Sequence, residues 1–297
     1  MGEYNEPTIV VFYVLYHLKR VVKKLHTPPQ RCYNSPEPPS CWLPGNLDSM
    51  DIFSLSWVGV FFAVTFAFFV RGVAGFGNAL ILAPILILIV SPKPVVVINL
   101  LLGVVANGVL LPYAFRNMNR RVVMIMAACS LPGIPLGTWV IKIIASSDLK
   151  VLIGGLTVFF ALLIAFGLTP RFRRERLSAG VAGFLSGVLA SATSLGGPPA
   201  ILFMHNQDWG KEVVHATLAV FFFFGCCFSL AALAISGVVD ADTMVTAVSF
   251  IPAMLIGLGL GMIAFFRIHP DFFRRLSIAV IVVTGVMGIL SGLGVIS

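Results

Sequence analysis

Arg71 and Asn78 bracket a glycine-rich stretch, RGVAGFGNALILAP at residues 71–84, with Gly75 and Gly77 between them. Ser194, Gly196, Gly197 and Pro198 fall in a second such stretch, SATSLGGPPAILF at residues 191–203. Both interrupt sequence that is otherwise almost purely apolar. Glycine lets a backbone approach a ligand closely, and a helix starting just after it presents free N–H groups and the positive end of its dipole. Helices starting near Asn78 and Pro198 therefore suit an anion, with Pro198 and Pro199 in a first turn where a missing N–H costs nothing. The guanidinium of Arg71 has two readings: partner to that anion, or anchor at the cytoplasmic membrane interface. Asn99 and Asn107 share a helical face and either line a path or bond between helices. His205 and His215 titrate near neutral pH, which makes them candidates to carry a proton, with capping or loop-facing roles as the alternative. Thr193, Ser194 and Thr217 are weaker candidates, because hydroxyls bond back to their own helix.

This is binding chemistry rather than catalysis. No Walker-type phosphate loop, catalytic triad or zinc motif occurs, so no enzyme activity, cofactor or metal is expected. Every Asp and Glu sits in a loop or in the N-terminal extension, which argues against an intramembrane acid as the coupling device.

The elements that hold these residues must be membrane helices. Of 297 residues, 58% are hydrophobic and 11% are charged, against about a quarter charged in a soluble domain. The +8 net charge is spread over short loops beside apolar segments, as in proteins oriented in a bilayer, and forms no basic face for nucleic acid. From residue 52 onward, apolar segments fall at 52–70, 72–90, 94–115, 122–144, 149–168, 177–193, 195–206, 212–238, 243–266 and 273–296. The second and seventh follow directly on the glycine breaks.

A shift of 120 residues lays Gly77 on Gly197, Pro132 on Pro252 and Gly137 on Gly257. The chain thus reads as two copies of five segments, residues 51–170 and 171–297, joined at TPRFRRERLS. Five is odd, so the second copy must be inverted if every segment crosses. Loop charge agrees: RNMNRR at 116–121 is basic while its counterpart DAD at 240–242 is acidic. With Arg71, the 116–121 loop, the 171–176 join, Lys211 and Arg267 to Arg275 on the cytoplasmic side, both ends of the core face outward.

Residues 1–50 form an extension. Its basic stretch, residues 8–25, reads as an interfacial amphipathic helix. Equally, the whole extension reads as a disordered leader upstream of a start at Met50, which would remove the conflict of a basic helix on the outer side. Cys32 and Cys41 would bridge only in an oxidising compartment. Cys129, Cys226 and Cys227 read as small packing residues.

GVAGFGNALILAPIL followed by LPGIPLG, and GFLSGVLASATSLGGPPAILF followed by HATLAVFFF, resemble the TauE/SafE sulfite exporter family over about residues 52–296. The resemblance implies a bacterial inner-membrane permease for small sulfur-containing anions such as sulfite or organosulfonates. Phe76 and Asn78 depart from the family's first motif. The resulting expectation is an all-α integral membrane protein, two inverted five-segment repeats with broken second and seventh segments. It would move a small anion by alternating access, with a proton as candidate co- or counter-ion and a homo-oligomer left open. A non-transporting scaffold and a passive anion channel are the rivals.

Overall fold

A computed structural model describes residues 55–166, 175–265 apart from 205, 206 and 208, and 282–293 apart from 284. The N-terminal extension, the join, His205 and most of the tenth expected segment lie outside the described residues. Those described form helices and connecting turns: α1 Leu55–Ala74, α2 Asn78–Leu86, α3 Pro92–Asn117, α4 Arg120–Ile143, α5 Ser146–Phe166, α6 Glu175–Thr193, α7 Gly197–Met204, α8 Lys211–Ile235, α9 Ala241–Ser249 and α10 Ile251–Phe265. Residues 285–292 are helical as well.

Five stretches are long and apolar enough to cross a bilayer: α3, α4, Ser146–Leu163 of α5, Glu212–Ile235 of α8, and Ala241–Ala264 across α9 and α10. Phe62, Met124, Trp139, Phe159, Leu177 and Val245 are exposed on the outside of the bundle, where hydrocarbon accepts them and water would not. Polar side chains go the other way: Arg71, Asn78, Asn99 and Asn107 are all buried.

Three boundaries differ from the apolar pattern. α1 runs past Arg71 to Ala74, so the arginine belongs to its last turn. α2 keeps only nine residues of the expected 72–90 segment, because α1 holds 72–74, the break takes 75–77 and residues 87–90 form a turn. The expected 243–266 segment is divided at Phe250, where Pro252 offers no N–H to the carbonyl of Val248. Pro132 and Pro135, by contrast, sit within an unbroken α4.

Short polar residues start the helices that follow the two differently charged loops. Asn119 accepts from Val122 N at 3.3 Å ahead of α4, and Asp240 accepts from Thr243 N at 2.6 Å ahead of α9. Both satisfy an orphan first-turn donor.

Helix pairing is set by glycines that bring backbones together. On α4 and α6, Gly137 lies on the carbonyl of Val188, and Gly183 on that of Met126. On α10 and α1, Gly257 lies on the carbonyl of Thr65, and a Cβ at Gly72 would stand 2.7 Å from that of Leu258. Gly154 of α5 meets residues 285–289 in the same manner, its absent Cβ 2.8 Å from the carbonyl of Gly285. In the centre α3 packs on α8, with Gly103 against the Cys226 sulfur. Close approach of this kind is how helices associate where lipid supplies no hydrophobic drive.

Candidate functional site

Arg71 is 5% exposed. Nη1 donates to Asn78 Oδ1 at 2.7 Å, and Nη2 donates to Asn107 Oδ1. The Asn107 amide nitrogen donates in turn to the Gly103 carbonyl at 2.8 Å, which fixes its oxygen toward the guanidinium. Nε has no partner. The residue faces inward, so it is not an interfacial anchor.

Its depth follows from α3. That helix has 26 residues, and Asn107 lies ten before its end, so the guanidinium reaches a point about 15 Å in from Asn117. Half of a hydrocarbon layer of about 30 Å is the same distance.

The two breaks reach their turns differently. Gly75 and Gly77 have φ of 80° and 98°, conformations that L side chains rarely adopt. The imidazole of His215, from α8, lies on Gly75, where a Cβ would stand 2.6 Å from Nδ1. No side chain caps α2 at Gly77, so its first N–H groups have no intrahelical acceptor. In the second break Ser194 is the one described non-glycine residue with positive φ, 61°. Such strain persists where the surroundings over-determine it. Gly196 there lets the turn sit on α6, its absent Cβ 2.6 Å from the Ser186 carbonyl.

Between the breaks lies a cavity of about 70 Å³. A single water needs roughly 10–15 Å³ on the same measure, so there is room for an ion of several heavy atoms. Arg71, Asn78, Asn99, Asn107, Ser186 and Ser194 form its polar wall, and Phe76, Leu100, Ile201, Phe221 and Phe222 its apolar one. Five described residues hold buried side-chain polar atoms without a partner: Arg71, Asn99, Ser186, Ser194 and Ser229. All but Ser229 line this cavity. Each such atom costs about 1–3 kcal/mol unless something in the cavity bonds it.

Of the residues singled out in the sequence, Arg71, Gly77, Asn78, Asn107, Ser194, Gly196, Gly197 and Pro198 come together around the cavity. Gly75 and His215 touch each other beside it. Thr193 and Thr217 bond back to Leu189 and Val213 at 2.8 and 2.6 Å. Ser191, the repeat counterpart of Arg71, donates to the Ile134 carbonyl at 2.9 Å, so the charge comes from the first half alone. Ser130, Ser186 and Cys226 also line the cavity and were not among the expected site residues. Ser186 had a signal: with Ala190 and Ser194 it repeats every four residues, as Asn99, Gly103 and Asn107 do, and both rows line the cavity.

Gly197 offers a clean test of this geometry. A Cβ there would meet nothing closer than Ile201 Cδ1 at 3.6 Å, so Gly197→Ala is expected to insert and fold like the parent. Because Gly197 lines the cavity, the added methyl should weaken anion binding severalfold, read by isothermal titration with sulfite in detergent. Unchanged affinity would remove Gly197 from the site.

A family model described as sulfite exporter TauE/SafE matches residues 60–288, more than half of the chain. The chain belongs to that family. The TauE/SafE match runs through every residue around the cavity, from Arg71 to Cys226. TauE/SafE proteins are transporters rather than enzymes, and membership together with the five apolar helices makes this a multi-pass membrane protein. Comparison with curated proteins and with solved structures returned no match.

Proposed function

We propose that the chain is a secondary permease of the bacterial inner membrane that moves a small oxyanion, sulfite or an organosulfonate, by alternating access. The cavity carries this reading. It draws unpaired polar atoms from both halves of the chain, Arg71 and Asn99 from one and Ser186 and Ser194 from the other, around a space the size of a small ion. The donors suit a group with several oxygens: a guanidinium edge, an amide and two hydroxyls. The apolar wall has room for a short organic tail.

Two inverted repeats, residues 51–170 and 171–297, are the architecture that goes with this mechanism. The pairing of helices supports it. The first segment of each half packs on the fourth of the other, α1 on α10 (the second part of the divided fourth segment) and α6 on α4, while the third helices α3 and α8 meet at the centre. A two-fold relation between the halves produces that reciprocity. Rocking of the α1–α10 pair against the α4–α6 pair would then open the cavity to either side in turn. His215, lying on the first break, is the described residue best placed for a proton to influence that turn.

Purified protein in liposomes is expected to move labelled sulfite at a rate that saturates with concentration and falls when a short alkylsulfonate competes. Flux proportional to the gradient without saturation would point to a channel. No flux with either anion, from correctly inserted protein, would leave the scaffold reading.

A further inference from the structure

The charge inside this site is unbalanced. Arginine stays protonated in proteins, and Arg71 is held by two neutral amides, with Nε unpartnered. Among the described residues no Asp or Glu lines the cavity. The described carboxylates sit at helix starts: Asp148 in the first turn of α5, Glu175 in that of α6, Glu212 in that of α8, and Asp240 and Asp242 at the start of α9. Those positions are membrane boundaries, while the guanidinium reaches the middle of α3. Among the described residues, then, the protein supplies no counter-charge at that depth.

Moving a bare charge through a low-dielectric core is expensive, and pairing it with one negative charge removes most of the cost. A cavity holding a monoanion is neutral overall, whereas an empty one leaves a full positive charge unpaired at mid-depth while it closes to both sides during reorientation. We propose that the chain is an anion exchanger: the cavity turns from one side to the other readily only with an anion on Arg71, so each anion carried out is matched by one carried in. The inference rests on the permease reading and specifies its mode. It also says what drives net export of one anion, namely the inward gradient of another of like charge.

The test uses the full chain in liposomes loaded with labelled sulfite. Release is timed into buffer with and without unlabelled sulfite outside, each with and without a potassium-diffusion potential set by valinomycin. External sulfite is expected to speed release by on the order of tenfold or more, since each 1.36 kcal/mol of barrier is a factor of ten. Exchange should not respond to the potential, and the slow release into sulfite-free buffer should. Equal release with and without external sulfite would overturn exchange while leaving the permease intact. No release in any arm would overturn both.

Discussion

Replacing Arg71 by glutamine is expected to lower sulfite flux by roughly ten- to a hundredfold, because a charge-assisted contact to the anion of about 1.5–3 kcal/mol is lost. The loss should exceed that from any other single substitution in the polar wall, since Arg71 is the one charged residue lining the cavity among the described residues. Glutamine keeps a donor for Asn78 or Asn107 and removes a buried charge, so insertion and folded yield should hold. Arg71→Lys separates charge from shape. It keeps the cation but cannot bond Asn78 and Asn107 with two arms of one plane while leaving a third edge free. Flux between that of the parent and that of R71Q is the expected result. Measurement of both variants in liposomes, beside an intact thermal transition in detergent, checks the prediction. Wild-type flux in R71Q would show that the anion does not meet the guanidinium.

The second large effect is on folding. Gly137→Val and Gly257→Val are each expected to abolish folded, monodisperse protein on size-exclusion chromatography. At both positions an added carbon would run into a neighbouring helix's carbonyl, that of Val188 or of Thr65, and backbone cannot move aside as a flexible side chain does. Overpacking typically costs 1–3 kcal/mol, occasionally more, and here the two helices would have to part along their length. Gly155→Ala is the control, because a Cβ there meets nothing within 4 Å. It should behave as the parent. Survival of both valine variants would show that these helix pairs do not rely on backbone contact.

Gly77, Gly137, Gly197 and Gly257 look alike in the sequence, yet they do two different jobs. A shift of 120 residues located all four, because matching glycines can be read without a structure. Spacing does not say which glycine is tight. Gly137 and Gly257 are closed by a neighbour's backbone, whereas Gly77 needs its φ of 98° and Gly197 needs only an open cavity beside it. That distinction depends on which helix lies opposite, a long-range property.

Arg71 shows the same limit. Counting apolar residues before it suggested an anchor at the membrane surface, since linear distance along one helix was the only measure of depth. Its partner Asn107 sits on another helix, and only their hydrogen bond puts the guanidinium at mid-depth. Asn78 was legible as the start of α2, and its role as a brace for Arg71 was not. The only trace of Ser186 in the sequence is its spacing of four from Ala190 and Ser194, which gains meaning once that row and the row on α3 are found lining one cavity. His205 stays an expectation from sequence alone.

The interlocked pairing of α1 with α10 and of α6 with α4 bears on how the chain is made. α1 leaves the ribosome well before α10 and must wait in the bilayer until the helices between them have followed, because the surface it fits is carried by α10. Until α3 follows, Arg71 lacks Asn107, and the cavity wall drawn from α6 to α8 stays missing for longer. Biosynthesis of such a polypeptide should lean on whatever insertion machinery shelters an unpaired arginine, and truncation anywhere before α10 should send the product to proteolysis rather than leave half a transporter.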